Sequence, residues 1–501
     1  MTARHVVVIG GGLAGITAAI ALCDAGLQVT LLESRPRLGG AAASSARGSL
    51  MIDNGQHVFL RCCHSYQELL ARLGVTGSVA IQDRFDVTVL SPGGRARLRR
   101  GPLPSPLHLA PALARYRHLT LAQRARVGRA ALALRRAGAA RPGRDDERLG
   151  DFLAARGQDE QARRHLWDLF VVSALNIAGD DASVALAATV VRTGLLGGND
   201  AADIGMATVP LGQLHGTAPA ALLDRLGARM RLRARVAAVD ALPGGGFGVR
   251  LTPGTGASAG GEDTTPGADT AAGGDTAGVT DPAGPAGPAS EDADGQTLRA
   301  DGVVLAVPAS QAARLGATAG LTLAGEWDGL GHSPIVNVHV IYERPVMDLP
   351  FVAAVDSPVQ WVFDKTRQAG LASGQYLAVS LSAADDIVDL PAAALRQQFL
   401  PALEQLFPAA AGNRITDFFV TRERQATFRQ APGCERLRPS AATGVPGLVL
   451  AGAWTDTGWP DTMEGAVRSG HNAARELTRE LAGRSQASLP AEPAAAGHGP
   501  R

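Results

Sequence analysis

Gly10, Gly12 and Gly15 follow the apolar run Val6–Ile9 in the spacing G-x-G-x-x-G, and Glu33 follows a second apolar run at Val29–Leu32. Glycines in that spacing, between a strand and a helix, form a seat for a dinucleotide. The first makes the tight turn, the second lets a pyrophosphate approach the backbone, and the third lets the helix lie close to the strand. The pattern predicts a helix from about Ala14 to Ala25 with Gly26 as its stop. The amides at Leu13 and Ala14 and the helix dipole then face the phosphates. A carboxylate at Glu33 accepts from ribose hydroxyls and repels a 2′-phosphate. The glycine spacing alone is a weak signal; strand, turn, helix, strand and acid in this order are a strong one. The glycines, Asp24 and the missing stop-transfer pattern argue against a signal peptide or a membrane span here.

A second nucleotide-type segment lies near the other end, LVLAGAWTDTGWPDTMEGAVRSGH at 448–471. Leu448–Leu450 read as a short buried strand ending at Ala451-Gly452, after a turn at Pro446-Gly447. A helix is expected from Thr462, its N-cap, through Met463, Glu464, Ala466, Val467 and Ala473. Its first turn carries roughly half a positive charge. That end favours an anionic reduced flavin. A nicotinamide site needs only the first segment, whereas a fixed flavin commonly uses both, so the pairing points to FAD. No second complete G-x-G-x-x-G occurs between a strand and a helix, which places the electron donor or acceptor outside the chain.

The elements that must hold these ends apart and together are discontinuous. The reading is an α/β chain whose Rossmann-like FAD-binding domain is assembled from separated segments, with an inserted α+β substrate domain. The FAD-binding pieces are 1–85, 205–320 and 440–483; 86–204 is expected to be mainly helical and 321–439 to complete the substrate domain. Within these, a helix is expected at Ala218–Leu226, a strand at Arg231–Val239, a strand pair at Phe247–Leu251 and Thr297–Pro308, a strand around Ile335–Tyr342 and a helix at Pro391–Phe407. Residues 253–296 contain eight acids, no Lys or Arg and one branched aliphatic, Val279. Such a stretch cannot bury enough surface to offset its ordering entropy, so it is expected as a disordered insertion at a hairpin tip, and 484–501 as a disordered tail.

Composition sets the class. At 46% hydrophobic and 19% charged, with net charge +1, the 501 residues suit a globular enzyme of more than one domain. The four cysteines (Cys23, Cys62, Cys63, Cys434) show neither metal-ligand spacing nor a disulfide framework, so no metal site and a reducing cytoplasm are expected. Aromatics are only 4% and no reader motif appears, which excludes a nucleic-acid partner. Lys365 is the only lysine.

The run Glu33-Ser34 through Arg37, Gly39 and Gly40, E-x-x-x-R-x-G-G, resembles the flavin-binding extension of the amine oxidase and phytoene desaturase superfamily. Further residues narrow the resemblance. They are Asp53-Asn54-Gly55-Gln56-His57, Ala174-Leu175-Asn176, Arg424-Gln425-Ala426-Thr427-Phe428, Arg438-Pro439 and the long motif from Trp454 to Gly470. Together they resemble the hydroxysqualene dehydroxylases, a squalene-associated group of FAD-dependent desaturases, over most of residues 5–478. The resemblance implies non-covalent FAD held by Gly10, Gly12, Leu13, Ala14, Gly15, Glu33, Ser34, Arg37, Gly39, Gly40, Val236, Gly452, Ala453, Thr462, Met463 and Glu464. It implies a long-chain isoprenoid substrate, reduction of hydroxysqualene to squalene with loss of water, and a place in squalene and hopanoid synthesis. Relatives usually carry an acid at the position of Ala453; its loss removes a charge-assisted hydrogen bond, about 1.5–3 kcal/mol.

Dehydroxylation needs a hydride acceptor carbon held near the flavin and a proton for the departing hydroxyl. Candidates by motif position are His57, Asp456, Asp461 and Glu464. For His57 a hydrogen-bonding structural role stands beside the catalytic one, and for Glu464 a role as helix-terminus carboxylate does. Trp454 and Trp459 are either π-face partners of a developing cation or packing. A phytoene-type desaturase would use the same fold without the acid. An amine oxidase would want a tyrosine cage, yet only four tyrosines are present, and Lys365 is a weak match to a flavin-facing lysine.

From Ser91 to Arg144 there are thirteen arginines and no acid, with apolar residues at helical spacing in Leu107–Tyr116 and Leu121–Leu134. That is the pattern of a basic face on an anionic membrane surface, or of a solvated helix. A hydrocarbon substrate favours the first, so the enzyme is expected in the cytoplasm, peripheral to the inner face of the membrane.

Overall fold

The computed structural model describes residues 4–137, 146–252, 297–322 and 324–487. The expected insertion at 253–296 lies outside them, as do residues 488–501 of the expected tail; its first four residues, 484–487, instead end the helix Met463–Ala487. Five parallel strands form the nucleotide sheet in the order Arg229–Arg231, Gln28–Leu32, His5–Ile9, Gly302–Leu305, Leu448–Leu450. Val6, Val7 and Val8 at its centre are fully buried, as a strand covered on both faces requires. The sheet draws on the start, middle and end of the sequence.

Two helices cover one face, Leu13–Asp24 and Met463–Ala487, packed on each other. The contact depends on Gly470, where a Cβ would come within 2.4 Å of the Ala14 carbonyl oxygen. Thr462 caps the second helix, its hydroxyl accepting from the Gly465 amide at 3.2 Å.

The strand expected at Arg231–Val239 is two strands. Arg229–Arg231 ends the parallel sheet, and Val236–Ala241 opens an antiparallel sheet with Phe247–Leu251 and Thr297–Ala300. Arg233 turns the chain between them at φ +56. Arg250 pairs with Thr297, so the two flanks of residues 253–296 meet as a hairpin.

The substrate domain is built on a seven-stranded sheet in the order Ile415–Thr427, Ser333–Tyr342, Gln375–Leu381, Trp361–Asp364, Phe351–Ala354, Asp86–Ser91, Gly94–Arg99. Its last two strands open 86–204, the segment expected to be mainly helical. Gly94–Arg99 alternates exposed arginines with buried Ala96 and Leu98, a period of two that its arginines obscured. Ile204–Ala207 likewise forms a strand, between Val58–Leu60 and Val79–Ile81. The other elements described in the segment are helical, with Leu121–Ala137 the longest; Leu107–Tyr116 holds a 3-10 turn, Leu107–Leu109, and a short helix, Ala110–Ala114. Among the described residues no helix is long and apolar enough to cross a membrane, and no cluster of three metal-ligand side chains occurs.

Candidate active site

A cavity of about 790 Å³ runs from Gly10, Gly12 and Glu33 to Phe85, Phe351, Trp361 and Phe363 of the substrate domain. At its nucleotide end the three glycines have different reasons to be glycine. A Cβ on Gly10 would lie 2.2 Å from the Ala306 carbonyl oxygen, and one on Gly15 would lie 1.9 Å from that of Gly10. Those are packing constraints. A Cβ on Gly12 would meet nothing nearer than the Gly40 Cα at 3.8 Å, so its bareness serves whatever enters the cavity. Glu33 is held in place: its carboxylate accepts from the amides of Gly11 and Arg35, both at 2.7 Å, and from the Ser34 hydroxyl at 3.2 Å. Leu13, Ala14, Ser34, Gly39, Gly40 and Val236 line the same end. Arg37 does not. Leu38 takes the buried position and turns Arg37 to solvent, while Arg35 lines the cavity.

The C-terminal segment supplies the opposite wall. Gly452, Ala453, Thr462, Met463 and Glu464 all line it. Gly452 sits at φ +147, and a Cβ there would be 2.3 Å from Trp454 Nε1. The loop between them is held from behind by buried Arg438. Its guanidinium donates to the carbonyls of Ala453, Thr455 and Trp459 at 2.6–3.2 Å and to the Thr457 hydroxyl at 3.2 Å. That is the structural content of the Arg438-Pro439 motif.

The four acid–base candidates separate cleanly. Asp456 is exposed, accepts from the Gly458 amide in a surface turn, and is not part of the cavity lining. Glu464 is buried and its carboxylate is saturated. It accepts from the amides of Ser65 at 3.3 Å and Tyr66 at 2.8 Å, capping the helix His64–Leu73, and from Arg468 at 2.7 Å. Neither is placed to deliver a proton. Asp461 lines the cavity, accepts from the Phe428 amide at 2.9 Å, and is pushed up to about 6 by burial. His57 also lines the cavity; burial holds its ring below the usual histidine range, against the nearby carboxylate of Asp53.

Lys365 does not face the cavity. Its ammonium lies against Asp53, on the far side of the Asp53–His57 loop. The four tyrosines, Tyr66, Tyr116, Tyr342 and Tyr376, are all fully buried in the core and none lines the cavity, so no tyrosine cage exists. The tryptophans are engaged structurally. Trp454 donates to the Val307 carbonyl and packs on Trp327, and Trp459 carries the Arg468 guanidinium 4.4 Å from its ring.

Among the lining residues that were not sequence candidates are Gln56 and Asn337. Gln56 sits inside the DNGQH run, and Asn337 is a lone amide in the strand Ile335-Val336-Asn337-Val338, which was the available signal. Asn176, from the A-L-N motif, is a brace: at φ +49 it donates to the Ser333 carbonyl and the Thr427 hydroxyl and accepts from the Ala383 amide.

The open space over Gly12, the fixed Glu33 carboxylate and the two helix N-termini at the cavity fit the ends of FAD. Comparison with known proteins agrees. The family model of flavin-containing amine oxidoreductases matches residues 13–261 and 278–478. A hydroxysqualene dehydroxylase of Rhodopseudomonas palustris is 31% identical, over 94% of this chain and 97% of that protein. A chloroplastic/chromoplastic zeta-carotene desaturase of Zea mays is 26% identical over 94% of this chain and 82% of its own length. The crystal structure of an oxidoreductase from Methanosarcina mazei shares the fold at a TM-score of 0.68 and 16% identity, covering 94% of this chain and all of that one. The chain is an FAD-dependent oxidoreductase that belongs to the flavin-containing amine oxidoreductase family, in the group of the hydroxysqualene dehydroxylases.

Proposed function

We propose that the enzyme reduces hydroxysqualene to squalene with release of water. The observation that carries this is one continuous cavity joining the dinucleotide seat to an aromatic chamber with no tyrosine cage, with the buried carboxyl of Asp461, its acid weakened by burial, in its wall. Reduced FAD supplies the hydride when bound. The chain's own residues do the rest. Phe85, Phe170, Phe351, Trp361 and Phe363 enclose a hydrocarbon and keep water from the reacting carbon. Asp461 holds the proton that leaves with the hydroxyl as water. The alcohol R–OH, one hydride and one proton give the hydrocarbon R–H and water, with no change in the number of double bonds, so the balance closes. Glu423, Gln425 and Thr427 line the cavity along one strand, a polar track between Asp461, bonded at Phe428, and the neighbourhood of His57.

The electron donor is an external reductase or carrier. Leu103, Leu107, Leu121 and Leu132 are exposed apolar residues in the segment that also exposes Arg126, Arg129, Arg135 and Arg136, which supports peripheral docking on anionic lipid. Arg124 is different: its guanidinium donates to the carbonyls of Ala114 and Leu119 and braces the helix start.

The test is product analysis. Holoenzyme reduced under anaerobic conditions should convert hydroxysqualene to squalene as its flavin reoxidises. Oxidised enzyme should leave phytoene, zeta-carotene and putrescine unchanged. Desaturation of a carotene with no reduction of hydroxysqualene would replace this reading with the desaturase one.

A further inference from the structure

Buried side-chain atoms without a hydrogen-bond partner are rare in folded proteins and cost roughly 1–3 kcal/mol each. Three residues of the cavity wall carry such atoms: Gln56 at both Nε2 and Oε1, His57 at Nδ1 and Asn337 at Oδ1. Asn337 is only 2% exposed and lies mid-strand, opposite Ser380 on one neighbour and Thr421 on the other. Its strand neighbours Val336 and Val338 are fully buried in the core on the other face of the sheet.

Gln56 lines the same wall, and the His57 and Asn337 side chains converge. Gly55, at φ +90, sits between them: a Cβ built there would be 3.4 Å from the His57 ring and 3.8 Å from Asn337 Nδ2. The loop that carries Gln56 and His57 is anchored at Asp53. That carboxylate accepts from Ser44 Oγ at 2.7 Å, the Leu211 amide at 3.0 Å, Lys365 Nζ at 3.0 Å and Gln368 Nε2 at 2.8 Å. A cluster of open donors and acceptors is therefore held rigid from behind and left unsatisfied in front.

We propose that Asn337, Gln56 and His57 form the subsite that binds the substrate's hydroxyl and selects an allylic alcohol over the bare hydrocarbon. This rests on the reading of the enzyme as a hydroxysqualene dehydroxylase. A hydroxyl is both donor and acceptor, and each carboxamide of Gln56 and Asn337 offers both. A polyene or squalene offers neither and would seal these atoms from water without partners. Sites built to hydrogen-bond a hydroxyl reject the analogue lacking it for this reason. The same asymmetry releases product, because squalene has lost the group that held it. The aromatic residues at the far end of the cavity then take the hydrocarbon arms, and the hydroxyl-bearing carbon is registered by the amides.

The experiment uses oxidised holoenzyme, which binds without turning over. Hydroxysqualene and squalene are titrated in detergent micelles while the flavin absorbance is followed. The wild type should prefer the alcohol. Asn337→Leu should lower that preference about tenfold or more, with squalene binding equal or tighter, and Gln56→Met should act in the same direction. Asn337→Ser, which keeps a donor and an acceptor, should retain part of the preference and guards against simple misfolding of the leucine variant. An unchanged preference in the variants, together with a loss of FAD affinity, would mean that the amides serve the flavin and would overturn the proposal. So would equal binding of both ligands by the wild type. Preference without turnover by the reduced enzyme would sink the assigned reaction and leave the subsite standing; turnover without preference would do the reverse.

Discussion

The Lys365 ammonium lies 3.0 Å from the carboxylate of Asp53, and both side chains are almost wholly buried. The pair joins the loop at the cavity wall to the helix Thr366–Ala369, which packs against the strand Leu50–Asp53. The one lysine of the chain thus has a positioning role. Removing one partner of a buried pair leaves the other charge uncompensated. Lys365→Met should destabilise the fold by about 3–5 kcal/mol in urea titration. It should also weaken substrate binding more than FAD binding. A variant with unchanged stability would show that Gln368, Ser44 and the Leu211 amide hold Asp53 without it.

Asp461 gives the reaction its pH dependence. Its acid is weakened to about 6 by burial, so the proton is present below that pH and lost above it. Single-turnover reduction of hydroxysqualene should fall as pH rises through about 6. Asp461→Asn should remove that limb and slow the step roughly 10²–10⁴-fold. Stability carries the same sign. The folded state binds the proton more tightly than the unfolded chain, so this residue's contribution declines as pH rises from the ordinary aspartate value of 3.8 to about 6. The difference in urea midpoint between wild type and Asp461→Asn should shift against the wild type across that window.

Glu33→Arg should weaken FAD retention about 10–100-fold, since the carboxylate that would accept the ribose hydroxyls is replaced by a cation with no 2′-phosphate to meet. Equilibrium dialysis of the flavin measures it. The flavin should also leave on acid precipitation, yellow in the supernatant, as befits a non-covalent cofactor; colour retained in the pellet would contradict this.

Ala453→Asp should tighten FAD by a similar factor. Ala453 lines the cavity, and the loop that presents it is held by Arg438 from behind, so a carboxylate there would enter a fixed position beside a buried cation. Unchanged affinity would show that another group already satisfies the cofactor at that point.

Arg126, Arg129, Arg135 and Arg136 changed together to Gln should abolish flotation with anionic vesicles and leave FAD content intact. Each residue contributes about 1 kcal/mol near the surface, and less at high salt. Equal flotation with neutral and anionic vesicles would assign the exposed leucines, or nothing, to the lipid.

The nucleotide seat was legible because its constraints are local. Gly15 is fixed by the Gly10 carbonyl, five residues away, and Glu33 by the amides of Arg35, two residues on, and of Gly11 in the same strand–turn–helix–strand unit. What depended on distant chain was not. Asp456 and Asp461 stand five residues apart in one motif, and only the turn at Thr455–Gly458 and the reach of Phe428 send one to solvent and the other to the cavity. Arg37 was read inward where Leu38 takes that direction. The hairpin Asp86–Arg99 was hidden because Arg95, Arg97 and Arg99 dominate a composition in which only Ala96 and Leu98 report the sheet. Asn337 was the opposite case, plain in the sequence as one amide among valines, but meaningless until its strand was seen to floor the cavity.

The parallel sheet ends on Leu448–Leu450, and its covering helix begins at Met463. A ribosome that has made Gly10 needs on the order of a minute to reach those residues. Throughout that interval the first strands and the glycine turn exist without their last neighbour, their second helix or the far wall of the cavity. Cofactor capture is therefore a late event in the synthesis of each molecule, waiting on residues 448–487. A polypeptide cut short before Leu448 carries the most recognisable flavin signature in the sequence and lacks the strand and helix that close over a flavin.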